Sequence, residues 1–336
     1  MSNLVSVLIP AYNSARWLGE CVRSALDQTW PRKEIIIVDD GSSDATLEVA
    51  RSFESATVKV VTQTNTGAPG ARNSALSLAQ GDYIQWLDAD DVLHPRKLEM
   101  QLRGAEDGRR SLTLLTSAWG KFFFRTGKAS FERDALWRDL VPLDWIMTRF
   151  NDNVWMNPAV WLVSRRLTEL AGPWDARLAS SGDDDGEYVC RVAAASNSVK
   201  FVEDARCFYR IGTVGSLNWN METNDKSLNS LLLSLQLATQ TLLSMEDSER
   251  TRRAAVRHLR TFSSYFYASG GDYVQRLGQM AAELGGTIEP PAVSWKYRPV
   301  EKALGPKVTK NVIRNWRAAK LVARRNLDWC FYRAGL

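Results

Sequence analysis

Histidine is almost missing from this chain of 336 residues, which holds only His94 and His258. An imidazole-built metal site is thereby excluded. The four cysteines, Cys21, Cys190, Cys207 and Cys330, are scattered without a C-x-x-C pair, which removes a thiolate cage as well. Dispersed in this way they suit the reduced thiols of a cytosol rather than a disulfide frame. Any metal must sit among hard oxygens, which favours Mn2+ or Mg2+. No apolar run reaches membrane-spanning length. The first strand begins almost at Met1 and leaves no room for a signal peptide, so a cytoplasmic location is expected. The net charge is only +5, too mild to point to nucleic acid as a partner.

What is present is 45% apolar residues, enough for one large domain and a smaller appendage. Runs of β-branched residues alternate with helical stripes. Strands are expected at Val5–Ile9, Glu34–Val38, Val58–Val61 and Tyr83–Leu87. Between them fall helices from about Trp17 to Leu26, from a Ser43 or Asp44 cap to Phe53, and from Ala71 to Gln80. Such βαβ alternation predicts an α/β fold with a mainly parallel sheet and right-handed crossovers. Further on, a helix from Pro95 to Arg103, strands at Leu112–Trp119, Lys121–Arg125 and Ala159–Ser164, a helix from Gly182 to Ala195, and short strands at Val199–Val202 and Cys207–Tyr209 complete the domain. Leucine spacing turns helical after Ser227, which divides the chain into a catalytic unit over 1–220 and a helical region over 221–336, with a linker at Glu289-Pro-Pro-Ala292.

Two acidic clusters stand directly behind strands: Asp39-Asp40 after Ile35-Ile36-Ile37-Val38, and Asp88-Ala89-Asp90-Asp91 after Tyr83–Leu87. In an open α/β sheet the carboxyl ends of parallel strands share one crevice, so both clusters should open into one site. A nucleoside diphosphate is itself anionic, and Asp88-x-Asp90 can hold it only through a divalent cation. Asp40 can accept from a base imide or a ribose hydroxyl. The loop Asn65-x-Gly-x-x-Gly-x-Arg72-Asn73 offers backbone amides at a helix start, with Arg72 in the first turn, as a diphosphate cradle. A third cluster, Asp183-Asp184-Asp185, precedes Glu187 and Arg191. One of these carboxylates serves as an N-cap; three together call for a further role, and a general base is that role.

Taken in order, Val5 through Asn13, Ile37 through Asp44, Asn65 through Asn73, Gly81 through Asp91 and Asp184 through Arg191 resemble the motifs of the family 2 glycosyltransferases, inverting enzymes with a GT-A fold, over roughly residues 4–215. The resemblance implies a Rossmann-like, mixed but mostly parallel sheet flanked by helices. It places Pro10 and Tyr12 beside the base, Asp40 on the base or ribose, and Arg72 and Asp88 at the nucleotide. Asp88 and Asp90 become the D-x-D pair, with Asp90 or Asp91 nearest the metal. Counting six residues back from Arg191 gives Asp185 as the base. Asp184 stands open beside it, because Gly186 occupies a place where the family commonly has an aromatic residue. The implied reaction moves a sugar from a nucleotide-sugar donor, UDP by resemblance, to a hydroxyl of a glycan or lipid-linked acceptor, as in polysaccharide assembly. A catalytically silent nucleotide-sugar or glycan-binding module of the same fold is the competing reading. A sugar nucleotidyltransferase would carry a glycine-rich loop where Pro10-Ala-Tyr-Asn13 stands.

Thirteen tryptophans are many for this length, and Trp155 next to Asn157 is the pair expected to meet the acceptor. The last 36 residues carry +7 against −2 for the remainder. Their apolar positions Val312, Trp316, Ala319, Ala323, Leu327 and Phe331 follow a helical period. Such a helix either packs on the catalytic domain or lies as a peripheral element on the anionic inner face of a membrane.

Overall fold

The computed structural model describes residues 3–103, 112–180, 182–212, 225–269, 272–290 and 298–335. Its first half alternates as expected: β1 (Val5–Ala11), α1 (Ala15–Leu26), β2 (Lys33–Asp39), α2 (Thr46–Arg51), β3 (Val58–Thr62), α3 (Gly67–Leu78) and β4 (Tyr83–Trp86). β1 runs parallel to β2 and β4, with Leu8 opposite Ile36 on one side and Trp86 on the other. Because helices cover both faces, these strands are mostly apolar and, apart from the start of β2 at Lys33 and Glu34, almost wholly buried. The arrangement brings Ala11, Asp39 and the end of β4 to one edge.

Helix α3 starts four residues earlier than its sequence predicts. The carboxylate of Asp40 accepts from the backbone N–H groups of Thr66 and Gly67 at 2.9 and 2.8 Å, satisfying amides that a local cap would otherwise serve. Gly67 has a φ of +81°, and a Cβ there would collide with Ala179. Pro69 is tolerated in the first turn, where its missing N–H has no helical partner to lose.

The second half adds β5 (Val92–Leu93), α4 (Lys97–Arg103), β6 (Thr113–Phe122), α5 (Pro142–Asp152), β7 (Leu162–Ser164), α6 (Arg165–Ala171), α7 (Asp184–Ala195) and β8 (Ser198–Arg210). The sheet order is β3-β2-β1-β4-β7-β6-β8-β5, with β7 antiparallel to β4 and β6, and β5 antiparallel to β8. Where the sequence reads paired short strands, the structure has single long ones. Gly120 interrupts the apolar run of β6 because the Phe131 ring occupies the space of a side chain. In β8 the exposed Glu203 and Asp204 fall in a register shift, Ser117 pairing with Val202 and Ala118 with Arg206. The strand expected from Ala159 begins only at Leu162, after a turn of 3-10 helix over Pro158–Val160.

Three helices follow: α8 (Asp225–Met245), α9 (Glu249–Ser269) and α10 (Asp272–Glu283). Leu228, Leu231, Leu232 and Leu235 form a small core with Leu259, Phe266 and Leu277, while Ala238, Leu242, Ala254 and Ala255 join the main core beside α5 and α7. The boundary expected near Asn220 and part of the Glu289-Pro-Pro-Ala292 linker lie outside the described residues. The last helix, α11 (Arg298–Arg333), is continuous over 36 residues and longer than the apolar repeat from Val308 indicates.

Candidate active site

Tyr12 follows β1, its ring 52% exposed at the sheet edge, and Pro10 is half-buried behind it. Asn13 adopts φ +46° and braces this corner to the turn after β2, its Oδ1 accepting from Ser43 N while its own N–H donates to Ser42 Oγ. Asp40 is buried. Besides the two amides at the start of α3, it accepts from Gln63 Nε2 at 2.7 Å, so both its oxygens hold the 63–67 loop in place.

Arg72 joins the acidic clusters. Its guanidinium is buried, donates to Asp88 Oδ1 at 2.8 Å and to Asp184 Oδ2 at 2.6 Å, and lies 4.3 Å from the centre of the Trp174 ring. Trp174 is in turn stacked on Tyr188 at 4.0 Å. A residue from α3 therefore links the turn after β4 to the first turn of α7, positions 16 and 112 residues away from it in the chain.

The three aspartates at the start of α7 have separate surroundings. Asp183 receives Arg149 at 3.1 Å and Ser234 Oγ. Asp184 receives Arg72, yet burial still lifts its pKa to about 6. Asp185 makes no ion pair among the described residues; its Oδ1 accepts only from the N–H of Gly186 at 2.8 Å. Burial, then the charges of Asp184 and Asp183, raises its carboxyl well above the ordinary range. Gly186 is required by this packing. A methyl group there would strike both the Arg149 guanidinium and the Asp183 carboxylate, which explains why no aromatic residue stands at that position.

At the turn after β4, Asp88 and Asp90 are half-buried and Asp91 is enclosed. Asp91 Oδ1 accepts from Arg210 N at 2.9 Å, while its Oδ2 has no hydrogen-bond partner. Burial, then Asp90 and Asp88, raises the Asp91 pKa strongly. The donor set is hard oxygen throughout. Among the described residues no three His, Cys, Asp or Glu side chains converge into a self-sufficient cage. Asp88, Asp90 and Asp91 are thus the oxygen donors this turn offers, without forming a ready-made cage.

Sequence reasoning missed Tyr209 and Arg210, at the end of β8. Arg210 donates through Nε to Asp90 O, through one terminal nitrogen to Phe123 O and through the other to Glu20 Oε2, at 2.8, 2.7 and 2.6 Å. It is sandwiched between Trp17 and Phe122, 4.0 and 4.3 Å from their ring centres. The backbone of the acidic turn is thus clamped by one saturated guanidinium. Tyr209 feels Asp91, Asp90, Asp88 and Asp185 in addition to burial, all of which raise its phenol pKa. The same side chain lies within electrostatic reach of both acidic clusters, which places them around one site. Trp155 stands 4.8 Å from Tyr209 and 5.3 Å from Trp119, an aromatic wall on that side. Asn157 is wholly enclosed, its Oδ1 3.8 Å from Cys207 Sγ, and presents no surface to the pocket. Nothing in the local sequence marks Arg210 as a clamp, since its partners come from α1, β4 and β6.

Residues 6–137 match the family model described as "Glycosyl transferase family 2". The glycosyltransferase GlyG of Streptococcus pneumoniae is 28% identical over 222 residues, 62% of this chain and 71% of GlyG. Chondroitin synthase of Pasteurella multocida is 44% identical over 102 residues, which are 30% of this chain and 11% of that protein. Among solved structures, S. aureus TarS 1-349 in complex with UDP superposes with a TM-score of 0.62 at 17% identity, covering 99% of this chain and 92% of that one. The ordered strands, the acidic turns at their ends and these likenesses agree: residues 6–137 match glycosyl transferase family 2, and the fold is the GT-A fold of S. aureus TarS.

Proposed function

We propose that the protein transfers a sugar, with inversion, from a UDP-sugar to a hydroxyl group of a glycan or lipid-linked acceptor, with Asp185 as general base. The observation that carries this reading is the division of labour at the start of α7. Asp183 and Asp184 are each paired with a buried arginine, whereas Asp185 makes no direct ion pair among the described residues and lies within electrostatic reach of Tyr209. A carboxylate raised in this way is, once ionised, a stronger base than an ordinary aspartate. It can take the acceptor proton as the oxygen attacks the anomeric carbon. A diphosphate leaving group needs no proton, so one base is enough, unlike glycoside hydrolysis with its two carboxyl groups.

The donor reading is supported by the S. aureus TarS structures, which were solved with UDP and with UDP-GlcNAc. Tyr12 offers an exposed ring at the mouth, and Asp40 secures the amide-rich start of α3 where a diphosphate would lie. Arg72 can exchange its bridge between Asp88 and Asp184 for phosphate oxygens. Mn2+ or Mg2+ would be held by Asp88 and Asp90, with Asp91 beneath them, and when bound supplies charge neutralisation for the diphosphate. Trp155 and Tyr209 form the apolar wall against which a sugar face would rest.

The test is transfer from UDP-GlcNAc and related UDP-sugars in the presence of Mn2+, with UDP release and product anomeric configuration read together. Asp185→Asn is expected to lower turnover by about two to four orders of magnitude while UDP still binds. Undiminished turnover in that variant, or a product of retained configuration, refutes the proposal. UDP binding without transfer to any hydroxyl would favour the silent binding module.

A further inference from the structure

Helix α11 has two unlike faces. One is docked: Asp328 accepts from Arg125 at 2.7 Å and from the N–H of Phe124 at 3.0 Å, and the Trp329 ring lies 4.9 Å from Phe124 and 5.0 Å from the Arg16 guanidinium. At 100° per residue, Val312, Trp316 and Leu327 fall on the side away from Asp328 and Trp329, whereas the Phe331 ring lies 5.1 Å from the Arg125 guanidinium at the docked end. All three are exposed, Trp316 by 58% and Leu327 by 61%, and the exposed Ala319 and Ala323 fill the space between them. The stripe runs about 22 Å at 1.5 Å per residue. The exposed Lys320 and Arg324 border it, with the Lys320 ammonium 5.5 Å from the Trp316 ring centre.

We infer that this outward face of α11 lies on an anionic lipid surface. A surface helix normally buries its apolar stripe against its own domain; here the contacts to the domain come from the C-terminal turns, through Asp328, Trp329 and Phe331, and the stripe before them is bare. Charge decides the occupant. The last 36 residues carry nine basic side chains and two acidic ones, and one of the two, Asp328, is already paired with Arg125. A second copy laid along the stripe would bring its Lys320 and Arg324 against like charges with no carboxylate to meet them. An anionic bilayer accepts the apolar stripe and the basic border together, at about 1 kcal/mol per basic residue near the surface. Among the described residues no helix is long and apolar enough to cross a membrane, so α11 lies in the interface plane. The docked end is next to the active site, since Phe123 shares Arg210 with Asp90. A lipid-linked acceptor, under the function proposed above, would reach the pocket from that surface.

Flotation of the full chain with vesicles of equimolar phosphatidylglycerol and phosphatidylcholine, against phosphatidylcholine alone, tests this directly. The protein should float with the anionic vesicles only, and less at high salt. Trp316→Glu with Leu327→Glu should lower the bound fraction about tenfold or more, with circular dichroism and urea midpoint unchanged. Lys320→Glu with Arg324→Glu should remove the preference for anionic lipid. Absence of flotation with anionic vesicles, or equal flotation of the Trp316/Leu327 variant, overturns the inference. So does a dimer in light scattering that the same variant converts to monomer. Flotation needs no sugar transfer, so its failure and that of the proposed reaction are separate results.

Discussion

Lys97 gives a quantitative test of how the core beneath the acidic turn is built. Its side chain is wholly enclosed, with Nζ 2.6 Å from Oε1 of Gln85 and 2.6 Å from Oε1 of Gln101. The two amides continue the network, Gln85 donating to Ala159 O and Gln101 to Leu115 O and Val160 O, so the lysine sits where β4, β6 and the 158–160 turn meet. No carboxylate pairs with it among the described residues; the ionisable neighbour is Cys207, whose thiol burial pushes up to about 12. Burial accordingly pulls Lys97 from 10.5 down to about 7. Above that value the folded lysine is neutral while the unfolded one still binds a proton, so stability rises with pH until the ordinary lysine value is reached. Integrated from pH 7 to pH 10, the two pKa values give a gain of about 3.5 kcal/mol. In Lys97→Met the penalty of the buried charge disappears, and two amide oxygens lose their donor at about 1–3 kcal/mol each. The stability of wild type minus that of the variant, from urea unfolding followed by tryptophan fluorescence, should therefore climb by roughly 3–4 kcal/mol across this window. Other titrating groups cancel in the difference. A flat difference, or one that falls with pH, would show Lys97 to be charged in the fold and refute the reasoning.

Three further outcomes follow from the site. Arg210→Met removes the clamp on Asp90 O while leaving every carboxylate of the acidic turn in place, so the Mn2+ concentration for half-maximal transfer should rise about tenfold or more; Arg210→Lys should recover little of this, because an ammonium cannot span Asp90, Phe123 and Glu20 as a planar fork does. Gly186→Ala should lose about 1–3 kcal/mol in urea unfolding, the typical cost of overpacking, by driving apart Arg149 and Asp183; an unchanged midpoint would show that the pair has room. The acid limb of the transfer rate should lie above the ordinary aspartate range, because a raised Asp185 accepts the acceptor proton only when ionised and loses that capacity as pH falls through its folded value. An acid limb near pH 4 would mean that Asp185 is not the base.

The strands were legible because burial on two faces leaves one pattern available to them: Ile35 to Val38 is apolar throughout, Tyr83 to Leu87 is apolar but for the buried Gln85, and each is followed by aspartate. The site was legible to the same depth, as carboxylates at strand ends. What local pattern cannot hold is the identity of each carboxylate's partner. Asp183, Asp184 and Asp185 are three identical residues in a row, and they differ only because Arg149, 34 residues away, reaches the first and Arg72, 112 residues away, reaches the second. For the same reason Asn157 looked like a site residue from its place beside Trp155, whereas the chain turns at Pro158 and carries it inward to Cys207. Two buried arginines on two of the three aspartates also limit what evolution or design can change here. Removing either cation leaves an uncompensated buried carboxylate, a loss of about 3–5 kcal/mol. Neutralising Asp185 removes a buried charge that makes no direct ion pair among the described residues, so Asp185→Asn should be tolerated or even stabilising in the fold while it lowers transfer by about two to four orders of magnitude, and that opposition between stability and turnover is the signature expected of a base rather than of a structural carboxylate.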